Sequence, residues 1–334
     1  MGSEDSNTPV LQYSTLAIVI ALALAVSTAS AQNLPLYRIA YATSGENPTA
    51  LWIGVEQGFF KKHGVNAEVL FMRSGPLAMS ALAAGDVQAV FTSANNVLNG
   101  AAAGLDLAVI ATVIPKAEGA FVARPEIKKP DDLKGKFVAI QSIGGGGWAN
   151  NMLALDYLNL DPERDRIQFI VFPDQAARVQ ALELGRVQGA WLGYTFADTL
   201  KKKGYRVLVD LGRAPIAYLG TSLVTRRANI RQDAKGIEAI IKGTLDSIRF
   251  VLKPENRPVV VKTLMRRLRL SRAEDAESGY ESLIATYSAD LRPNPEGVQK
   301  IHKILSKANP NMAKIKPEEI IDDSIVRRIR ESGY

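Results

Sequence analysis

ALAAGDVQAVF at residues 81–91 returns as ALELGRVQGAW at residues 181–191, with Ala, Leu, Gly, Val and Gln in register. In each copy a segment of helical period stops at a glycine, Gly85 or Gly185, suited to a left-handed cap. The chain then runs at once into a short apolar strand. A unit that recurs in this way predicts two related lobes. The segments upstream match too: RIAYATSG (38–45) precedes a helix holding Trp52, and FVAIQSIGGGG (137–147) precedes a helix holding Trp148.

The same alternation extends outward from both copies. In the first half, YRIAYAT (37–43), NAEVLFMR (66–73), QAVFTSA (88–94) and DLAVIATVI (106–114) read as strands. Between them fall a helix opened by Pro48 and closed at Gly64, and helices over 76–84 and 95–103. In the second half, FVAIQ (137–141), IQFIVF (167–172) and VQGAWL (187–192) are strands, separated by helices through MLALDYLNL and AARVQALEL. Strands separated by helices of this length predict an α/β fold built on largely parallel sheets. Beyond Leu223 the chain turns charged and amphipathic, with Pro254, Pro258, Pro293 and Pro295 as breakers, which predicts a helical C-terminal tail.

With 334 residues, 47% hydrophobic and 22% charged, the chain is long enough for two cores. It has no cysteine, so disulfides, thiolate metal sites and cysteine nucleophiles are excluded. The net charge of +7 is spread along the chain, with its densest groups inside 266–269 and 327–330, and no nucleic-acid-binding motif accompanies it. Leu16–Val26 is an apolar run of signal-peptide length followed by small residues at Ala29 and Ala31. Residues 1–31 are therefore expected to be a cleaved leader, although the segment before the apolar run carries Glu4 and Asp5 where such leaders are basic. Losing these two acids raises the mature charge to +9. No cysteine at the cleavage point offers a lipid anchor, so a free periplasmic protein is expected.

In open parallel sheets ligands sit beyond the carboxyl ends of the strands, where helix-start N–H groups point outward. Thr43, Ser44 and Asn47 supply donors in the first lobe, and Ser142 with the glycines that include Gly145 and Gly146 does so in the second. Such a run of N–H groups favours a carboxylate, sulfonate or similar anion. Ser93, Ala94 and Asn95 end one repeat strand and Leu192–Tyr194 the other, so they are expected to face each other across a cleft. Arg73 is a candidate partner for an anionic group, and Trp52 and Trp148 are candidates for stacking, with core packing as the alternative. Asp174 begins a helix and fits an N-cap as well as a ligand contact. His63 and His302 lie in helical segments without a triad or metal-site pattern, so neither a catalytic nor a metal site is expected.

The segments RIAYAT, ALWIGVEQGFFKKHGVNAEV, SGPLAMSALAAGDVQAVFTSA, KKPDDLKGKFVAIQ and GTSLVTRRANI together resemble the nitrate/sulfonate/taurine-type periplasmic binding proteins of ABC importers. These share the type 2 periplasmic-binding fold with the thiamine-pyrimidine precursor proteins. The resemblance runs from about Tyr37 to Phe250. It implies two lobes, residues 35–118 with 219–334 and residues 119–218, joined by two crossover strands near Phe121 and Tyr218. Its ligand loops fall on Ser44, Ser93, Ser142 and the glycines that follow, with Tyr218 at the second crossover among the candidate contacts. Similar proteins often carry Trp-x-x-Pro with an acidic neighbour where this chain has WLGYTF, so Tyr194 takes the acidic region's place and amine-binding relatives such as taurine binders are poorer guides.

The expected function is capture of a small anionic or pyrimidine-like solute for an importer permease, by a monomer that needs no cofactor and binds no nucleic acid. Two alternatives share the fold. A thiamine-pyrimidine synthase of this type uses a cysteine-rich segment, which is absent here. A sensory domain would need an output module, and none is recognisable in this sequence.

Overall fold

The computed structural model describes Gly2, residues 34–42 and residues 45–334. Apart from Gly2, the expected leader lies outside the described residues, as do Thr43 and Ser44. Leu36–Tyr334 forms a compact unit. Its first half runs β1 (Leu36–Tyr41), α1 (Thr49–Glu56), α2 (Phe59–Lys62), β2 (Asn66–Phe71), α3 (Gly75–Ala84), β3 (Ala89–Ser93), α4 (Ala94–Ala102) and β4 (Leu107–Thr112). The second half runs β5 (Ala120–Ala123), β6 (Phe137–Ile140), α5 (Gly146–Tyr157), β7 (Gln168–Val171), α6 (Gln175–Glu183), β8 (Gly189–Leu192), α7 (Tyr194–Lys202) and β9 (Arg206–Asp210). After β10 (Thr221–Arg226) come α8 (Arg227–Gln232), α9 (Ala234–Leu252), α10 (Arg257–Leu268), α11 (Ala273–Thr286), α12 (Pro295–Ala308) and α13 (Ser324–Glu331).

Two five-stranded sheets have the same plan. One is ordered β2-β1-β3-β10-β4 and the other β7-β6-β8-β5-β9. In each, three strands from βαβ units are parallel, and the fourth position is filled by an antiparallel strand just arrived from the other lobe. β10 lies antiparallel between β3 and β4, and β5 lies antiparallel between β8 and β9. The sheets are thus largely parallel, as expected, with one antiparallel strand in each. Chain crossing, which no local pattern encodes, reverses one strand per sheet.

The sequence repeat is a structural repeat. Gly85 and Gly185 are both left-handed, at φ 89° and 71°. Beyond them Asp86 N donates to Ala81 O at 3.0 Å and Arg186 N to Ala181 O at 2.9 Å, closing each helix with the same wide turn. The repeated glutamines do one job in both lobes. Gln88 N donates to Arg38 O (2.9 Å) and Gln88 Oε1 accepts from Arg38 N (2.8 Å); Gln188 N donates to Phe137 O (2.8 Å) and Gln188 Oε1 accepts from Phe137 N (3.2 Å). Each glutamine thus pins the start of its lobe's first parallel strand. Ser74 and Asp174 likewise cap α3 and α6, accepting from Leu77 N (3.3 Å) and Ala177 N (2.7 Å).

Two helix boundaries differ from expectation. The helix predicted over 48–64 is two helices, because Gly58 is left-handed at φ 72° and breaks the ladder before Phe59. The glycine run is not wholly a loop: Gly146 and Gly147 are the first turn of α5. The C-terminal segment is helical, as its amphipathic pattern predicts. Its longest helix, α9, buries Ile237, Ile240, Ile241, Leu245, Ile248 and Val251 against lobe one, each worth about 1.5–3 kcal/mol of burial.

Candidate functional site

The carboxyl ends of β1, β3, β6 and β8 meet where the two sheets face each other, and polar side chains from both lobes close the gap. Gln141, just beyond β6, donates from Nε2 to the carbonyl of Ala42 beyond β1 at 2.6 Å. Asn95, in the first turn of α4, donates from Nδ2 to Gly144 O at 2.7 Å. Glu46 is the third bridge: its carboxylate accepts from Tyr194 N at 2.9 Å and from Thr195 Oγ1 at 3.1 Å.

Inside these bridges a small cavity of about 20 Å³ is walled by Asn47, Ser93, Lys116 and Glu118 on one side. Gln141, Gly146, Gly147, Asn150 and Trp191 wall the other, and Tyr218, Gly220 and Thr221 of the second crossing segment form an edge. The wall is held from behind. Ser93 Oγ donates to Asn95 Oδ1 at 2.6 Å, and Tyr218 donates to the same oxygen at 3.3 Å. Tyr287, from just past α11, donates to Asn47 O at 2.7 Å and accepts from Ala50 N at 2.9 Å, so the C-terminal helices fix the first loop.

Two carboxyl groups are buried at this place. Asn47 Nδ2 donates to Glu118 Oε1 at 2.9 Å, while Glu118 Oε2 is buried with no hydrogen-bond partner. Burial, then the nearby Glu46 charge, pushes Glu118 up to about 8 against the Asn47 bond. Glu46 is also pushed up by burial, with its hydrogen bonds to Thr195 and Tyr194 opposing. On the far side Arg178 is fully buried beside Gly147, at the start of α5, and burial lowers it to about 10. The cavity therefore offers a helix start and small polar groups, and also an acidic wall.

Of the residues singled out from sequence, Asn47, Ser93, Gly146 and Tyr218 line the cavity, and Asn95 ties it together. Ala94 is buried as the first residue of α4, and Gly145 precedes the first turn of α5. Ser142 Oγ is buried without a hydrogen-bond partner against Gly145. Others lie elsewhere. Trp52 is buried edge-on to Tyr41 at 6.1 Å with Arg267 over its ring, because α1 turns it toward lobe one's own core. Trp148 is partly buried and packs on the shared core. Arg73 is exposed past the end of β2, and Asp174 is the N-cap of α6. The Tyr194 ring turns away, donating its hydroxyl to Asp210 at 2.5 Å, so only its backbone faces the bridge.

Sequence reading missed Glu118, Lys116, Gln141, Asn150 and Trp191. The WLGYTF wall carries no acidic residue, as read from the sequence; the two buried carboxyls, Glu46 and Glu118, come from lobe one. The available signal was a charged pair, Lys116 and Glu118, in a segment joining two apolar strands. Among the described residues no group of three or more His, Asp or Glu is placed to hold a metal, and no helix is long and apolar enough to cross a membrane.

A family model described as NMT1/THI5 like matches residues 46–257. The taurine-binding periplasmic protein of Escherichia coli K12 is 28% identical over 195 residues, 58% of each chain. The curated relatives are thus matched over little more than half of their own length. Among solved structures, a protein from Bordetella bronchiseptica RB50 superposes with a TM-score of 0.78 at 18% identity, over 89% of this chain and 97% of that one. The periplasmic aliphatic sulphonate binding protein of Escherichia coli gives 0.67 at 19% identity, over 86% and 96%. At such identities these structures share the fold: type 2 periplasmic-binding, two lobes and C-terminal helices.

Proposed function

The chain belongs to the NMT1/THI5-like family, and from that premise we propose that it is an extracytoplasmic solute-binding protein that hands a small molecule to the permease of an ABC importer. The observation that carries this reading is a polar cavity shut between two lobes by side chains from both. Each hydrogen bond across the cavity is worth a net ~0.5–1.5 kcal/mol toward the closed form. A solute touching both walls then shifts the balance toward the closed form, which a permease can distinguish from the open one.

In this proposal residues 1–31 direct export and are removed, leaving a periplasmic monomer. Lobe one comprises 35–118 and 219–334, and lobe two 119–218. The start of α5, with Ser142 close by, accommodates the solute's most electron-rich group: a sulfonate, a carboxylate, a nitrate-like group or a pyrimidine-type ring nitrogen. The protein holds its solute and does no chemistry on it. A thermal-shift panel of sulfonates, nitrate, carboxylates and pyrimidines tests this reading. A binder raises the melting temperature and is recovered unchanged, whereas turnover of a binder would make the protein an enzyme.

A further inference from the structure

Glu118 is built into the cavity wall with one oxygen left over. The residue is 5% exposed, its Oε1 is taken by Asn47, and its Oε2 is buried without a partner. Its backbone is locked as well. Trp191 Nε1 donates to Glu118 O at 2.8 Å, and Gly119 follows at φ 77°, where a Cβ would stand 2.5 Å from Leu192 O and 2.6 Å from Trp191 Nε1. Only glycine allows this close approach, so the side chain is aimed by its surroundings.

A buried carboxyl oxygen without a hydrogen-bond partner is destabilising, and folded proteins rarely carry one without a use. Among the described residues no Lys or Arg forms an ion pair with Glu118, although Lys116 lines the same cavity. The titratable groups near it include Glu46, a second carboxyl, and the hydroxyls of Tyr218, Tyr194 and Tyr287, which are directed at Asn95, Asp210 and Asn47 O. The missing donor is therefore not supplied by the wall. An ammonium or amidinium beside Glu118 would hold it ionised against the burial that raises it, whereas nitrate and simple sulfonates or carboxylates carry only acceptors at neutral pH and bring no such donor.

We propose that Glu118 is a specificity-determining residue whose Oε2 receives an N–H donor of the solute, so that the ligand is a small molecule bearing an amino or amidino group. The inference rests on the solute-binding reading and narrows it. The acceptor end of the same molecule meets the start of α5, and its nitrogen meets Glu118. An ammonium or amidinium placed there also compensates the two carboxyls, neither of which is ion-paired among the described residues.

The test uses purified protein and matched pairs that differ by one amino group: 2-aminoethanesulfonate and ethanesulfonate, 3-aminopropanoate and propanoate, 4-aminobenzoate and benzoate, 4-aminopyrimidine and pyrimidine. Calorimetry should find binding confined to amino members, with the affinity lost at least about tenfold in Glu118→Gln. The wild-type pairs need no variant, and the melting curve of Glu118→Gln reports whether it folds. Equal binding of an amino-free partner, or unchanged affinity in Glu118→Gln, overturns the inference and leaves solute binding intact. If no member of any pair binds, both the inference and the solute-binding reading fall.

Discussion

Gln141 of lobe two reaches the backbone carbonyl of Ala42 in lobe one at 2.6 Å, a bond that exists only while the lobes are together. It sits at the cavity wall, so closing and solute contact are joined in one side chain. Gln141→Ala should shift the unliganded protein toward open forms, seen as a larger radius of gyration in small-angle X-ray scattering. Affinity for any solute should fall by roughly three- to tenfold, the equivalent of one net hydrogen bond. An unchanged radius and affinity would mean that the bond does not bias closure.

The buried carboxyls give the stability a pH dependence of definite sign. Glu118 is raised to about 8 and Glu46 is raised as well, so both prefer to be protonated in the fold more than in the unfolded chain. Their favourable contribution is complete below the ordinary carboxyl range, near pH 4, and is lost as the pH rises toward about 8. Between pH 5 and about 8 the unliganded melting temperature should fall by a few degrees, and Glu118→Gln should flatten that slope. A wild-type profile that rises across this interval would contradict the assignment.

Gly119 tests the mounting of Glu118 independently of any ligand. Gly119→Ala places a methyl group within 2.5 Å of Leu192 O on a left-handed backbone, and should cost about 1–3 kcal/mol in urea unfolding. It should also weaken whatever binds at Glu118. Wild-type stability in this variant would mean that the crossing segment is looser than its contacts imply.

Gln88 and Gln188 should behave as framework rather than as recognition. Each exchanges two bonds with the first strand of its lobe, outside the cavity. Replacing either by Ala should cost roughly 0.5–1.5 kcal/mol of stability, with solute affinity unchanged. A variant that keeps its stability and loses affinity would reverse that division.

What could be read in the chain and what could not follow from range. The repeat around Gly85 and Gly185 is local, and its caps, glutamines and short strands are all visible within a dozen residues. Ser93 and Asn47 were reachable because they follow strand ends, a rule that holds for parallel sheets. β10 escaped as an antiparallel strand because its partner β3 lies some 130 residues earlier. Glu118 escaped because a crossing segment has no period to break. Trp52 misled because an aromatic residue near a helix start looks the same in sequence whether it faces a cleft or a core. Only the packing of α1 against lobe one decides between them.

The most direct measurement is a crystal structure of the protein with the first compound that raises its melting temperature. That compound should occupy the space among Asn47, Ser93, Glu118, Trp191 and Tyr218, touching both lobes, with a nitrogen within hydrogen-bond distance of Glu118 Oε2. A compound bound outside the two lobes' shared cavity would mean that the cleft is not the binding site.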